Sequence, residues 1–450
     1  MKEKRINTCV NMEIKVSPTS KRLSLWHNFS WSVTGSSVYA GCQWGILVLL
    51  AKLTTSEMVG QFSLGLAITA PIIIFSQLHL RAVQATDAKY EYEFGHYIAL
   101  RLMTTMLALI LIACVVIWGG YSHFTALIIL VLGIFKAFES MSDVLYGFIQ
   151  KHERMDYIAR SLVLHGISSI IVVGCVVLFT HNVLAGVVAL ATTRGLVLFT
   201  YDLYNVKVML NDNLNDPTST WGKCFNIKPT FRVRKLKALI QLTLPLAFVM
   251  TMISLKTNIP RLFIDDYCGA RELGIYTALA YLVVVGNTIV SSIGQSCVPR
   301  MAKYYATGEL NKYNSLLFRI VSLGAIIGCG GMLVAFFFGP SLLAAIYRPE
   351  YGQYPDLLVI LFSAGALSYI NSLLGYGLTA TRNFKIFLLP YIIITAMAFT
   401  LSVLVIPSYG LKGAAWADLF LNLINLVMFI ILLHKNTWRE RAKSTAKDIV

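Results

Sequence analysis

The chain has 450 residues, 56% of them hydrophobic and only 13% charged, with a mean hydropathy of +0.67 and a formal net charge of +16. Soluble globular proteins carry about 25% charged residues, so the composition argues against a soluble enzyme, a secreted disulfide scaffold and a disordered tail protein. A transmembrane β-barrel would alternate apolar and polar residues over strands of about ten residues, whereas this chain runs in continuous apolar stretches. The expected class is therefore an all-α polytopic membrane protein. In a soluble chain the basic balance would point to nucleic acid. Here the preference of Lys and Arg for cytoplasmic loops explains it, and no nucleic-acid partner is expected.

Residues 1–29 carry the charge of a signal peptide without its apolar stretch, and read as a cytoplasmic leader. Twelve spans follow, at about 30–53, 59–80, 97–118, 123–149, 157–180, 183–208, 238–262, 273–298, 315–338, 356–381, 386–406 and 412–434. The connection 209–237 is polar and lies midway, as a cytoplasmic linker between two six-helix bundles, 30–208 and 238–434; residues 435–450 form a tail. The leader, the even-numbered connections and the tail hold 28 Lys and Arg, against Lys52, Arg261, Arg271, Arg348 and Lys412 on the other side. This bias places both termini in the cytoplasm. Reporter fusions at positions 120, 181 and 267 should therefore read as outside and fusions at 152, 220 and 450 as cytoplasmic; a cytoplasmic signal at 267 would refute the arrangement.

The two halves echo one another. Glu57, Gly60, Phe62 and Ala67 after the first span correspond to Glu272, Gly274, Tyr276 and Ala280 after the seventh, with one residue of slip. Tyr146-Gly147 in the fourth span matches Tyr376-Gly377 in the tenth, and Gly186 in the sixth matches Gly413 at the twelfth. Six spans per half keep the halves parallel, related by an axis along the membrane normal, and such halves enclose a central cavity that opens to either side in turn.

A cation facing lipid at mid-bilayer costs about 2.5–3.5 kcal/mol, so charges at depth mark interior surfaces. Arg101 and Arg319 lie near helix ends, where snorkelling to the interface accounts for them. Lys136, Arg194 and Lys256 are deeper. Lys136, Glu139 and Asp143 share one helix face, which reads either as a self-neutralising Lys136–Glu139 pair or as a cavity wall with ion coupling by Asp143. Arg194 has only Asp202 on its own helix, eight residues on, and Lys256 has no nearby carboxylate on its helix. These two are the leading candidates for an anionic ligand, with Asp418 as an alternative partner for one of them. His165 reads as a helix-packing residue.

No nucleotide-cradling, zinc-protease or serine-hydrolase motif occurs. None of the eight cysteines forms a CxxC pair. No catalytic residue, cofactor or metal is expected, and the protein is not read as an enzyme.

Three segments carry a family resemblance: VYAGCQWGILVLLAKLTTSEMVGQFSLGLAI (38–68), SDVLYGFIQKHERMDYIA (142–159) and PLAFVMTMISLKTNIPRLFIDDYCGARELGIYTALAYL (245–282). Over nearly its whole length the chain resembles the polysaccharide-type (oligosaccharide-lipid) flippases of the multidrug/oligosaccharidyl-lipid/polysaccharide exporter superfamily. One position departs, since Pro260 stands where that family often has an Asp before a basic residue. The resemblance implies a bacterial inner-membrane protein that flips an undecaprenyl-diphosphate-linked oligosaccharide outward for O-antigen, capsule or another surface glycan. Glycan polymerases and other surface-polysaccharide assembly proteins would be its partners, besides the lipid-linked oligosaccharide and membrane lipids. A diphosphate calls for cations at cavity depth, Arg194 and Lys256 first and Lys136 next. Gln43, Tyr201, Asn371, Asn422 and Asn425 offer partners to sugars, and Asp143, Glu139 and Asp418 are the ion-coupling candidates. A multidrug or cation antiporter of the same superfamily, or a membrane glycan polymerase or ligase, is the alternative reading.

Overall fold

The computed structural model describes residues 25–87, 91–214, 228–381 and 387–448. The expected leader lies largely outside the described residues, as does the middle of the expected linker; residues 209–214 continue a helix and 233–237 begin the next. The helices are α1 (Leu25–Leu53), α2 (Ser56–Gln77), the short α3 (Leu80–Thr86), α4 (Phe94–Trp118), α5 (His123–Lys151), α6 (Met155–Thr180), α7 (Val183–Val197), α8 (Leu203–Leu214), α9 (Val233–Cys268), α10 (Ala270–Ala306), α11 (Leu310–Ile346), α12 (Pro355–Ala380) and α13 (Leu388–Asp448). Side-chain caps start several of them. Thr55 accepts from the Met58 amide, Ser122 from Thr125 and Asn182 from Leu184, each satisfying an amide that the helix leaves unpaired.

Among the described residues eleven helices are long and apolar enough to cross a membrane. The last of them makes two crossings. Gly410, with φ 55° and ψ −136°, breaks α13, in a backbone region that glycine adopts without a Cβ penalty. Phe387 and Phe429 are 42 residues apart, which in a straight helix is about 63 Å, yet their ring centroids lie 6.0 Å apart. The chain folds back at Gly410 and supplies the expected eleventh and twelfth spans as two arms.

The two halves pack alike. In the first, α1 lies along α6, while α5 is flanked by α2, α4 and α7. In the second, α9 lies along α13, while α12 is flanked by α10, α11 and α13. Thr395 of the first α13 arm donates to the Met252 carbonyl of α9, and Asn371 of α12 donates to the Asn422 carbonyl of the second arm. The first span therefore pairs with the fifth as the seventh does with the eleventh, and the fourth meets the sixth as the tenth meets the twelfth. The result is a two-lobe helical fold.

The lobes meet through α2 against α9 and α10, and α1 against α10. Here the repeated glycines find their purpose. A Cβ on Gly60 would stand 1.6 Å from the Ala270 carbonyl oxygen, and one on Gly274 would stand 2.0 Å from that of Ser56. The two equivalent glycines let α2 and α10 cross in backbone contact, near the pseudo-twofold axis. At the same end Arg348 donates to the Lys52 carbonyl through both Nε (3.2 Å) and Nη2 (3.0 Å), while Lys52 Nζ donates to the Ala345 carbonyl at 3.1 Å. The C-terminal carbonyls of α1 and α11 are thus each met by a cation from the other lobe, where helix dipoles favour positive charge. Tyr354 Oη approaches Glu272 Oε1 at 3.5 Å. Burial and then that carboxylate raise the phenol above its usual pKa, so it remains protonated at neutral pH.

Candidate functional site: a cavity between the lobes and two polar clusters at mid-depth

Toward the end opposite this closed one the lobes stay in contact through Leu236 and Leu239 of α9 against Leu78, Leu80, Tyr97 and Leu100, and on the α1–α10 side they enclose a cavity of about 540 Å³. Its walls come from α1, the α5–α6 turn and α10. Three residues of α1, Asn28, Ser32 and Ser36, fall at four-residue steps, and so do Asn287, Ser291 and Gln295 of α10. Four-residue steps put each trio on one helix face.

The charged residues singled out in the sequence lie deeper, at a common level. Lys136 is 13 residues from the closed end of α5, Arg194 11 residues from that of α7, and Lys256 12 residues from that of α9, or about 17–20 Å at 1.5 Å per residue. They form two clusters, one per lobe, on equivalent helices. In the first lobe Lys136 Nζ bonds Glu139 Oε2 at 2.6 Å, and Glu139 Oε1 accepts from Tyr39 Oη of α1 at 3.0 Å. Solvent reaches about a quarter of the Lys136 and Glu139 side chains (24% and 26%). In the second lobe Lys256 Nζ donates to Asn422 Oδ1 at 2.9 Å and stands 3.9 Å from Asp418 Oδ1. Asn422 in turn donates to Asp418, and its carbonyl accepts from Asn371.

Two expectations change, and Asp143 gains partners on other helices. Arg194 was expected to be poorly paired and to face the cavity. Its side chain is instead buried within the first lobe, 3.9 Å from Asp202, and Nη2 donates to Tyr146 Oη at 3.3 Å. It is not among the residues lining the cavity, and neither are Lys136, Lys256, Gln43 or Asn371. The cause is a π-helical segment, Leu198–Asp202, between α7 and α8. Such a bulge re-aims the residues that follow, and Asp202 meets Ser142 and Ser161 on the neighbouring helices. Arg194 keeps Nε and Nη1 without hydrogen-bond partners. Arg101 was expected to snorkel, but it is fully buried and donates to Ser140 at 3.2 Å and to Asp143 at 2.9 Å. Asp143 was weighed as a cavity wall with ion coupling; it holds Arg101, with Arg81 3.6 Å from its other oxygen. The Lys136–Glu139 pair has formed as the first of its two readings had it. Asp418, the alternative partner, pairs with Lys256. His165 is buried among Tyr39 and Phe135, with Ser169 Oγ 3.0 Å from Nδ1. Gln43 Nε2 and the side-chain oxygens of Asn371 and Asn425 are buried without partners.

Missed by the sequence reading were the two hydroxyl and amide stripes and the tyrosines that organise the first cluster, Tyr39 and Tyr146. The stripes had a signal, namely polar residues at four-residue steps within apolar spans. The tyrosines had none, since their partners lie on other helices.

The described residues thus form a two-lobe helical bundle with a cavity between the lobes. Residues 25–305 match the family described as "Polysaccharide biosynthesis protein", and the chain belongs to that family. It is 29% identical over 411 residues to the capsular polysaccharide biosynthesis protein CapF of Staphylococcus aureus, a match covering 89% of this chain and 97% of that one. Among solved structures it is similar to the lipid II flippase MurJ in an inward closed conformation, with a TM-score of 0.69, 13% identity, and 93% and 90% of the two chains covered. It is also similar to an inward-facing multidrug resistance MATE transporter, with a TM-score of 0.61, 13% identity, and 95% and 98% covered.

Proposed function

We propose that the protein flips a lipid-linked polysaccharide precursor, an undecaprenyl-diphosphate-linked oligosaccharide, from the cytoplasmic to the outer leaflet of a bacterial inner membrane. The observation that carries this reading is the cavity between the lobes, walled by α1 and the α5–α6 turn of one lobe and by α10 of the other. Polysaccharide biosynthesis family membership supports the substrate class, and the Lys and Arg bias supports a cavity that faces the cytoplasm. The glycan head travels through the cavity while the lipid tail stays in the bilayer.

Lys256 and Lys136 are the cations that meet the diphosphate, because both side chains are partly exposed at mid-depth, one on each lobe, deeper than the residues lining the cavity. Each is already neutralised by a carboxylate, so phosphate binding displaces Asp418 or Glu139 rather than entering a bare cationic pocket. Arg194 acts from behind, as a buried positive charge in the first lobe. Asp418, 37% exposed, is the carboxylate best placed to exchange a proton or ion as Lys256 changes partner. Hydrogen bonds to charged groups contribute about 1.5–3 kcal/mol, roughly tenfold or more in affinity. Lys256→Ala should therefore cut surface polysaccharide about tenfold, at an unchanged protein level in the membrane, while lipid-linked glycan accumulates on the inner leaflet. Normal surface polysaccharide in Lys256→Ala and in Lys136→Ala would remove the phosphate assignment. Normal surface polysaccharide in a deletion strain would remove the flippase reading itself.

A further inference from the structure

We infer that the cavity between the lobes is a docking site for an uncharged saccharide, held between the Asn28–Ser32–Ser36 stripe of α1 and the Asn287–Ser291–Gln295 stripe of α10. The inference rests on the flippase reading and names the part of the substrate that this region recognises.

The lining decides the chemistry. No Lys or Arg is among the residues that form the cavity wall, so the region offers a diphosphate nothing. It presents hydroxyls, amides and one carboxylate, Glu153, which would repel an anion. A saccharide hydroxyl both donates and accepts, and Ser, Asn and Gln are the side chains that do the same. Polar groups of this kind are unfavourable against lipid unless they are hydrogen-bonded. Six of them in two ordered rows on otherwise apolar helices imply a polar partner between the rows.

The α10 row is held in place from behind. Ser372 Oγ donates to Asn287 Oδ1 at 3.2 Å, and Gln295 Nε2 donates to Tyr376 Oη at 3.2 Å. Ser372 and Tyr376 are themselves four residues apart on α12. These contacts fix both amides while leaving the Asn287 amino group and the Gln295 carbonyl oxygen uncommitted, one a donor and the other an acceptor. Opposite them, Asn28 Oδ1 accepts from the Met155 amide at 3.1 Å, which anchors the start of the α1 row. Preorganised groups of this sort lose little entropy on binding. The cavity volume of about 540 Å³ lies in the range of small-ligand sites, so a short stretch of sugar occupies it and the rest of a longer glycan extends through the open mouth. Because the rows belong to different lobes, the bound sugar bridges them. The site therefore reads the glycan only while the α1 and α10 rows stand apart.

The test uses the full-length protein in lipid nanodiscs and two probes. One is the lipid-linked oligosaccharide extracted from a strain lacking the gene, and the other is undecaprenyl diphosphate without sugar. The double variant Asn287→Ala/Gln295→Ala should bind the glycan-bearing lipid about tenfold more weakly, as two lost neutral hydrogen bonds predict, and the sugar-free lipid as tightly as the parent does. Ser32→Ala/Ser36→Ala, which removes neither of the α10 tethers nor the Asn28–Met155 bond, should show the same selective loss, and thermal melting of each variant reports whether the fold is kept. Equal weakening for both probes, or no weakening for either, would overturn the saccharide site while leaving the flippase reading standing. A parent protein that binds neither lipid would overturn both.

Discussion

Replacing Gly60 or Gly274 with leucine should abolish transport while leaving the protein in the membrane. Each glycine occupies the crossing of α2 and α10, where a Cβ would overlap a backbone carbonyl of the other helix, at 1.6 Å for Gly60 and 2.0 Å for Gly274. Backbone does not move aside as a flexible side chain does. Overpacking a well-packed contact costs about 1–3 kcal/mol or more, which is roughly ten- to a hundredfold in the population of the state that makes the contact. That state is the one with this end shut. The helices themselves are not broken, since leucine is a good helix former, and each lobe keeps its own core. Surface polysaccharide should fall to the level of a deletion strain, with normal amounts of protein in membrane fractions. Gly274→Ala should be milder than Gly274→Leu but still impaired, because the clash begins at Cβ. Wild-type output from Gly60→Leu would mean that the α2–α10 contact is not formed in any state that transport requires.

That crossing shows what was legible in the sequence. The Gly60 and Gly274 correspondence identified the repeat from spacing alone, because the constraint on both residues is local: a helix that must touch another backbone cannot carry a side chain there. Span positions were legible for a similar reason, since bilayer thickness sets the length of an apolar run. Gly410 was legible only as a gap between two runs, and the close approach of Phe387 to Phe429 shows that gap to be a reversal of the chain. The pairing of charges was harder. Lys136 and Glu139 were found because their partnership is a single helical turn, whereas Arg101 with Asp143 joins two helices and Arg194 with Asp202 depends on a π-helical segment that shifts the register. Local periodicity carries no information about which interior face turns toward which neighbour. Depth in the span was therefore a sound guide to interior position, but not to whether a cation would line the cavity, as Arg194 shows.

Asp143 gives the sharpest separation between structure and coupling. Arg101 is fully buried, and its counter-charge in the structure is the Asp143 carboxylate at 2.9 Å, with Ser140 as a neutral partner and Nε without one. Removing one member of a buried pair leaves an uncompensated charge and costs about 3–5 kcal/mol. Asp143→Ala should therefore lower the melting temperature of the purified protein and its amount in the membrane. The reverse change should be gentler. Asp143 is 24% exposed and has Arg81 3.6 Å away, so in Arg101→Ala the carboxylate keeps both water and a cation. The double variant Asp143→Ala/Arg101→Ala should consequently be more stable than Asp143→Ala alone, because it restores neutrality. Asp143→Asn should lie between them, keeping a hydrogen-bond acceptor for the guanidinium but not the charge. Ion coupling by Asp143 predicts the opposite pattern: Asp143→Asn would melt like the parent and yet fail to deliver polysaccharide to the surface. Melting curves and surface-polysaccharide measurements on these four variants distinguish the two, and a parent-like melt for Asp143→Ala would rule out the structural role argued from the Arg101 contact.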